Sequence, residues 1–182
     1  MMTWQQQLLQ YQPKNEQETR DLAAFRYAFD HFDDVLTREN PIAHMTVSAF
    51  VVNKARTHVL MAYHNIYDSW AWTGGHADGE SDFLAVALRE VKEETGVDAV
   101  AVSEEPISIE QLTVLGHVKK GKYVSEHLHM NVTYLVEADD RAHLVVCEGE
   151  NSDVAWIPLD EIAVYCKEAH MIPIYQKIID AL

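Results

Sequence analysis

The sequence predicts an α/β domain built on a mixed sheet and preceded by a helical extension. Three observations carry that prediction. A helix-period apolar stripe fills the residues before Asn40-Pro41; strand-like runs begin beyond them; and strand and helix patterns then alternate to the last residue without a repeat or a low-complexity linker. The boundary divides the chain into an extension over residues 1–40 and a main domain over residues 41–182.

Within the extension, a Gln-rich segment ends near Pro13 and a second helix is predicted from about residue 17 to residue 36. Leu22, Phe25, Phe29, Phe32 and Leu36 recur there at spacings of three and four, a stripe that has to pack against something. Beyond Pro41, residues 45–53 and 58–63 read as two strands joined by the polar turn Asn53-Lys54-Ala55-Arg56. A loop over residues 64–75 leads into a helix that starts at Ser81 or Asp82 and stops at Gly96, where glycine suits the left-handed residue after a helix. Strands are predicted over 111–118 and 124–137, around the basic turn Lys119-Lys120-Gly121-Lys122. A short strand over 154–157, a helix from 159 and a final helix over 171–182 complete the order.

Composition narrows the function. With 182 residues and 48% hydrophobic side chains the chain can bury an ordinary core. Acidic residues outnumber basic ones 29 to 14, a net charge of -15, which disfavours nonspecific binding to nucleic acid or to an anionic membrane. The longest apolar candidate, residues 45–52, is far shorter than a span of roughly 20 residues. The first residues lack the pattern of a secretory signal, and Cys147 and Cys166 have no metal-finger or CxxC spacing, so a reducing cytoplasmic setting is expected.

The chemistry concentrates in Gly75-His76-Ala77-Asp78-Gly79-Glu80-Ser81 and, seven residues later, Arg89-Glu90-Val91-Lys92-Glu93-Glu94-Thr95-Gly96-Val97. On a helix, Glu90, Glu93 and Glu94 stand at i, i+3 and i+4 and share one face. Each like-charged pair costs about 0.2–0.5 kcal/mol, and acids in a last turn oppose the helix dipole. A solvated acidic face is one reading. A hard divalent cation is the other, because Mg2+ takes oxygen ligands from a few carboxylates together with substrate phosphates. It would also let an anionic diphosphate approach an acidic protein. Leu84, Leu88 and Val91 form an apolar stripe to anchor this helix, and Arg89 is placed to orient a carboxylate.

These residues resemble the signature of the Nudix hydrolases: Gly75, Arg89-Glu90-Val91, Glu93-Glu94 and Gly96-Val97 match it. Ser81 stands where that pattern has its first glutamate. The resemblance implies an α/β/α sandwich, a pyrophosphatase acting on a nucleotide-like diphosphate through metal-activated water, and Mg2+ or Mn2+ bound by Glu90, Glu93 and Glu94. It also implies that the backbone at Gly74 and Gly75 shapes the substrate loop. Ser81 is read as the helix cap, with Glu80 as an alternative replacement for the missing acid. For the general base, Glu126 is the first candidate and Glu148 and Glu150 the next. Each of the three taken alone reads more readily as a surface acid.

Smaller signals keep their simpler readings alongside. Tyr67, Trp70 and Trp72 form an aromatic group before the loop that would stack a base or, equally, pack the rim. His127 and His129 share a strand face and His76 lies in the loop; without a third ligand in register, hydrogen-bonded or substrate-facing histidines are expected rather than a metal site. The lysine turn reads as solvated. Two other functions stay open: a ligand sensor that does not turn over, disfavoured by the intact Arg-Glu-Glu-Glu set, and an isoprenoid-diphosphate isomerase, disfavoured by cysteines that fall so late in the chain. The partner expected is a small diphosphate, and the extension either caps the site or forms a homodimer interface.

Overall fold

The computed structural model describes residues 2–119, 121–147 and 151–182. Two helices, α1 (Trp4–Leu8) and α2 (Glu16–His31), precede strands β1 (Ala43–Asn53), β2 (His58–His64), β3 (Ser69–Ala71) and β4 (Thr73–His76). Helix α3 (Phe83–Thr95) follows, then β5 (Ala99–Ala101), β6 (Ser108–Val114), β7 (His117–Lys119), β8 (Lys122–Val124), β9 (His127–Ala138) and β10 (Asn151–Pro158). A 3-10 turn leads to α4 (Ile162–Tyr165) and α5 (Ile172–Ile179). The main sheet has the order β10-β2-β1-β9-β5, with β3 on β2, β4 on β1 and β6 on β9.

Two compact units divide the chain, and β1 and β9 run through both. The first comprises Met1–Val47, His76–Phe83 and Ser108–Val132. Thr3 and Gln6 form a capping box that starts α1, and Asn15 caps α2 by accepting from the Glu18 amide. α2 docks on β6 through polar as well as apolar contacts: Gln17 Nε2 donates to the Ile109 carbonyl at 3.2 Å and Asp21 Oδ2 accepts from the Gln111 amide at 2.9 Å. Fully buried Glu18 accepts from Tyr11 Oη at 3.0 Å and from the Lys14 amide at 2.7 Å, and Ser108 Oγ lies against both Glu18 and the equally buried Glu110. Burial and the Glu18 carboxylate push the Tyr11 phenol well above its ordinary pKa.

In the same unit the Leu128 amide donates to the Ile42 carbonyl at 2.9 Å, and Thr46 Oγ1 donates to Asn131 Oδ1 at 3.0 Å. The two contacts advance together along β1 and β9, so these strands run parallel. The β1–β2, β2–β3, β2–β10 and β5–β9 pairs are antiparallel, which makes the sheet mixed, as predicted.

The second unit comprises Ser48–Gly75, Leu84–Ile107 and Thr133–Leu182. Its part of β1 is wholly buried, as befits a strand flanked by β2 and β9, and Phe50, Leu60, Met61, Val86, Val91, Val136 and Tyr175 belong to its core. Among the described residues no helix is long and apolar enough to cross a membrane.

Several boundaries differ from the sequence reading. α2 ends at His31, because Phe32 is extended and Asp34 takes a positive φ. The buried residues of the helix are therefore Glu18, Phe25 and Ala28, while Val35 and Leu36 lie beyond it. The strand expected over 111–118 is two strands, parted at the exposed Leu115 and Gly116, and β9 begins three residues later than expected. The lysine turn is the β7–β8 hairpin, Lys119 opposite Lys122, with Lys120 outside the described residues.

Candidate active site

α3 carries the carboxylates. Its buried residues are Phe83, Val86, Ala87, Val91 and Thr95, while Leu84 and Leu88 are only half-buried, so the anchoring stripe is rotated from the one read in the sequence. That rotation brings Glu90 and Glu94, one turn apart, onto the half-buried flank, and leaves Arg89 and Glu93 exposed. Because the helix begins at Phe83, the residue in the cap position is Asp82 and not Ser81. Gly96 ends it as predicted, with φ +74°, and its amide donates to the Lys92 carbonyl.

Two of the three glutamates lie against the backbone of β4, the strand before the helix. Glu90 lies directly over Gly75: a Cβ there would sit 2.5 Å from Glu90 Cδ and 2.7 Å from each carboxylate oxygen, so only glycine leaves room. The neighbouring Gly74 amide donates to Glu94 Oε1 at 2.8 Å, and Asn151 Nδ2 donates to Glu94 Oε2 at 2.8 Å. The two hydrogen bonds fix the orientation of the Glu94 carboxylate. A hard cation suits this donor set, in which two carboxylates are oriented by the glycine pair and a third, Glu93, stands exposed beside them. Asn151, at 4% exposure, was missed by the sequence reading, and no local pattern around it would have revealed the role.

The aromatic group is distributed over several partners. Tyr67 stacks on His64 with ring centroids 4.3 Å apart, Trp70 meets Tyr63 and Tyr165 edge-on, and Trp72 meets Tyr175 at 5.2 Å. Glu126 is exposed immediately before β9 and belongs to the first compact unit, whereas Glu90, Glu93 and Glu94 belong to the second. Glu148 and Glu150 lie outside the described residues. Cys166 is buried, with Ser69 Oγ 3.8 Å from its sulfur, and burial raises its thiol pKa; Cys147 is exposed.

In the first unit the structure gathers four imidazoles. His44 on β1 has ring centroids 5.1 Å from His76, 4.9 Å from His127 and 5.1 Å from His129, and His76 lies 4.9 Å from His129. The parallel β1–β9 pairing produces this: His44 shares a β1 face with Thr46, and His127 and His129 share a β9 face with Asn131, Thr46's partner. Burial holds His129 down to about 2 and His76 to about 3, and it lowers His44, so these rings are neutral at pH 7. His44 was missed because it fell just before the strand read from residue 45. The period-two run His44, Thr46, Ser48 was the available signal of a polar face.

A mixed α/β fold with a helix-borne carboxylate set beside a glycine-bearing strand is an arrangement suited to hydrolysis of phosphoanhydrides. The family model for the NUDIX domain matches residues 43–181, and the chain belongs to that family. It is an enzyme of the pyrophosphohydrolase kind. Solved structures share the fold. A NUDIX-family hydrolase from Clostridium perfringens superposes with a TM-score of 0.56 at 20% identity, over 76% of this chain and 97% of the other. The MutT protein from Methanosarcina mazei Go1 gives 0.58 at 15% identity, over 75% and 92%. A C. elegans Ap4A hydrolase gives 0.50 at 19%, over 73% and 93%. A search of curated proteins finds no match.

Proposed function

We propose that the protein is a Mg2+- or Mn2+-dependent hydrolase that cleaves the diphosphate linkage of a nucleoside-diphosphate-linked or related small molecule. The observation that carries this reading is that Glu94 is oriented by the Gly74 amide and Asn151 while Glu90 packs closely over Gly75, with Glu93 on the same helix beside them. Glu90, Glu93 and Glu94 would hold the ion, which supplies charge neutralisation for the diphosphate and polarises phosphorus toward water. Arg89 orients the carboxylates of this set, Gly74 and Gly75 keep the loop backbone close to the phosphates, and Tyr67, Trp70 and Trp72 line the side where a base or apolar group rests. Glu126 is the proposed base, an exposed carboxylate free to take a proton from water. The net charge of -15 supports a small-molecule substrate over nucleic acid or membrane.

Wild type and Glu93→Gln are incubated with Mg2+ and nucleoside triphosphates, ADP-ribose, dinucleoside polyphosphates, nucleotide sugars and isoprenoid diphosphates, and products are followed by mass. Metal-dependent cleavage that collapses in Glu93→Gln is the expected result and names the substrate class. A panel bound but left intact by the wild type overturns hydrolysis in favour of a sensor. A large fall in kcat with metal affinity kept is expected in Glu126→Gln if that residue takes the proton; an unchanged kcat removes it from the mechanism.

A further inference from the structure

The imidazole cluster on β1 and β9 has no part in the chemistry proposed above, and its geometry is that of a ligand set. His44 Nδ1 lies 3.0 Å from the Asn40 carbonyl oxygen, which accepts only a proton-bearing nitrogen, so the lone pair of this neutral ring resides on Nε2. That Nε2 is buried in a residue only 4% exposed and finds no hydrogen-bond partner among the described residues. His127 repeats the pattern, with Nδ1 2.8 Å from the Ser125 carbonyl oxygen and Nε2 turned inward, 3.2 Å from His129 Nε2. One ligand nitrogen from each of His44, His127 and His129 falls within 4.8 Å of the others.

Hydrogen bonding among the three rings does not satisfy this arrangement. A proton on His129 Nε2 can serve His127 Nε2, but it leaves His44 Nε2 orphaned, and a buried unpaired acceptor costs about 1–3 kcal/mol. A central cation satisfies all three lone pairs at once. Zn–N bonds of about 2.0–2.1 Å in a tetrahedron separate neighbouring nitrogens by about 3.3 Å, close to the His127–His129 separation. The backbone carbonyls on the outer nitrogens of His44 and His127 are the usual partners that fix a ligating histidine's tautomer and orientation.

We propose that His44, His127 and His129 form a binding site for a borderline divalent transition-metal ion, best suited to Zn2+, with the fourth position open to His76 or water. Three imidazole nitrogen donors select against Mg2+, which takes oxygen, so the site and the carboxylate set on α3 suit different ions. The ion ties the start of β1 to the start of β9, and through His76 to the end of β4, so it stabilises this unit by binding the folded state alone.

The test does not depend on the hydrolase reading. Full-length wild type, Glu93→Gln and His127→Gln are stripped with a chelator and titrated with Zn2+ against a chromophoric competitor, in millimolar Mg2+. Expected are one Zn2+ per chain in wild type and Glu93→Gln alike, and affinity at least tenfold weaker in His127→Gln. His127 is chosen because, unlike the buried His44, it is only half-buried. Should that variant fail to fold, Zn2+-induced shifts of the imidazole nitrogens in the wild-type 15N spectrum decide instead, with Nε2 of all three residues moving. No Zn2+ bound in the presence of Mg2+, binding equal in His127→Gln and wild type, or imidazole nitrogens that do not move, each overturns the proposal. Zn2+ binding lost in Glu93→Gln and kept in His127→Gln assigns the ion to the carboxylates.

Discussion

Gly75→Ala isolates the contribution of carboxylate placement from that of carboxylate identity. The added methyl would lie 2.5 Å from Glu90 Cδ and 2.7 Å from both its oxygens, where carbon contacts settle at roughly 3.5–4.0 Å. The carboxylate must therefore retreat by about 1 Å, a displacement that costs on the order of 10²-fold when the group positions a reacting centre. Stability should barely change. Gly75 has no positive φ, so alanine fits its backbone, and losing glycine's freedom in the unfolded chain contributes about 0.4–1 kcal/mol in the opposite direction. The assay is kcat/KM on the compound the wild type cleaves, beside Mn2+ affinity by EPR and a thermal melt. Activity about a hundredfold down, weaker Mn2+ binding and a Tm within roughly 4 °C of wild type are expected. In a Glu90→Gln background the same substitution should add little, because the two act on one interaction. Activity within threefold of wild type, or loss that tracks a collapse in Tm, refutes the reasoning.

Asn151→Ala removes the donor on Glu94 Oε2 and should cost about tenfold in activity and metal affinity, as loss of an outer partner does, with about 1 kcal/mol of stability; equal activity would show that the Gly74 amide suffices. Glu18→Ala strips the acceptor from Tyr11 and the Lys14 amide inside the first unit and should destabilise by about 3 kcal/mol in urea melts without touching metal binding by the α3 carboxylates. The Arg141 guanidinium and backbone amide, both hydrogen-bonded to Asp139, hold that carboxyl at about 2, so its contribution to stability is present above the ordinary carboxylate pKa and is lost as pH falls through about 2; carbon NMR titration should show Asp139 raised toward the ordinary range in Arg141→Ala, which keeps only the amide.

What could be read from sequence was whatever a short window determines. The spacing of Glu90, Glu93 and Glu94 follows from the helical repeat, and Gly96 ends the helix because only glycine enters φ +74° freely; both are properties of a few consecutive residues. The β1–β2 hairpin, the α/β class and the family signature were legible for the same reason. The α2 boundary was not: Phe29, Phe32 and Leu36 continue a helical period that the chain abandons at Phe32, where a strand-like conformation replaces the helix and Val35, not Leu36, becomes buried. The cap at Asp82 was misplaced by one residue because Ser81 and Asp82 are equally good caps and only the position of the first helical residue, Phe83, chooses between them.

Tertiary structure alone decided which distant groups complete each cluster. Asn151 reaches Glu94 across 57 positions of sequence, and nothing near it distinguishes it from any other asparagine. His127 and His129 announced a shared face, yet the third imidazole came from His44 because β1 and β9 pair in parallel, a register fixed by contacts such as Thr46 with Asn131. Strand pairing is a long-range choice governed by burial of both faces, so sequence determines the local chemistry of each element while the sheet decides which of those chemistries meet.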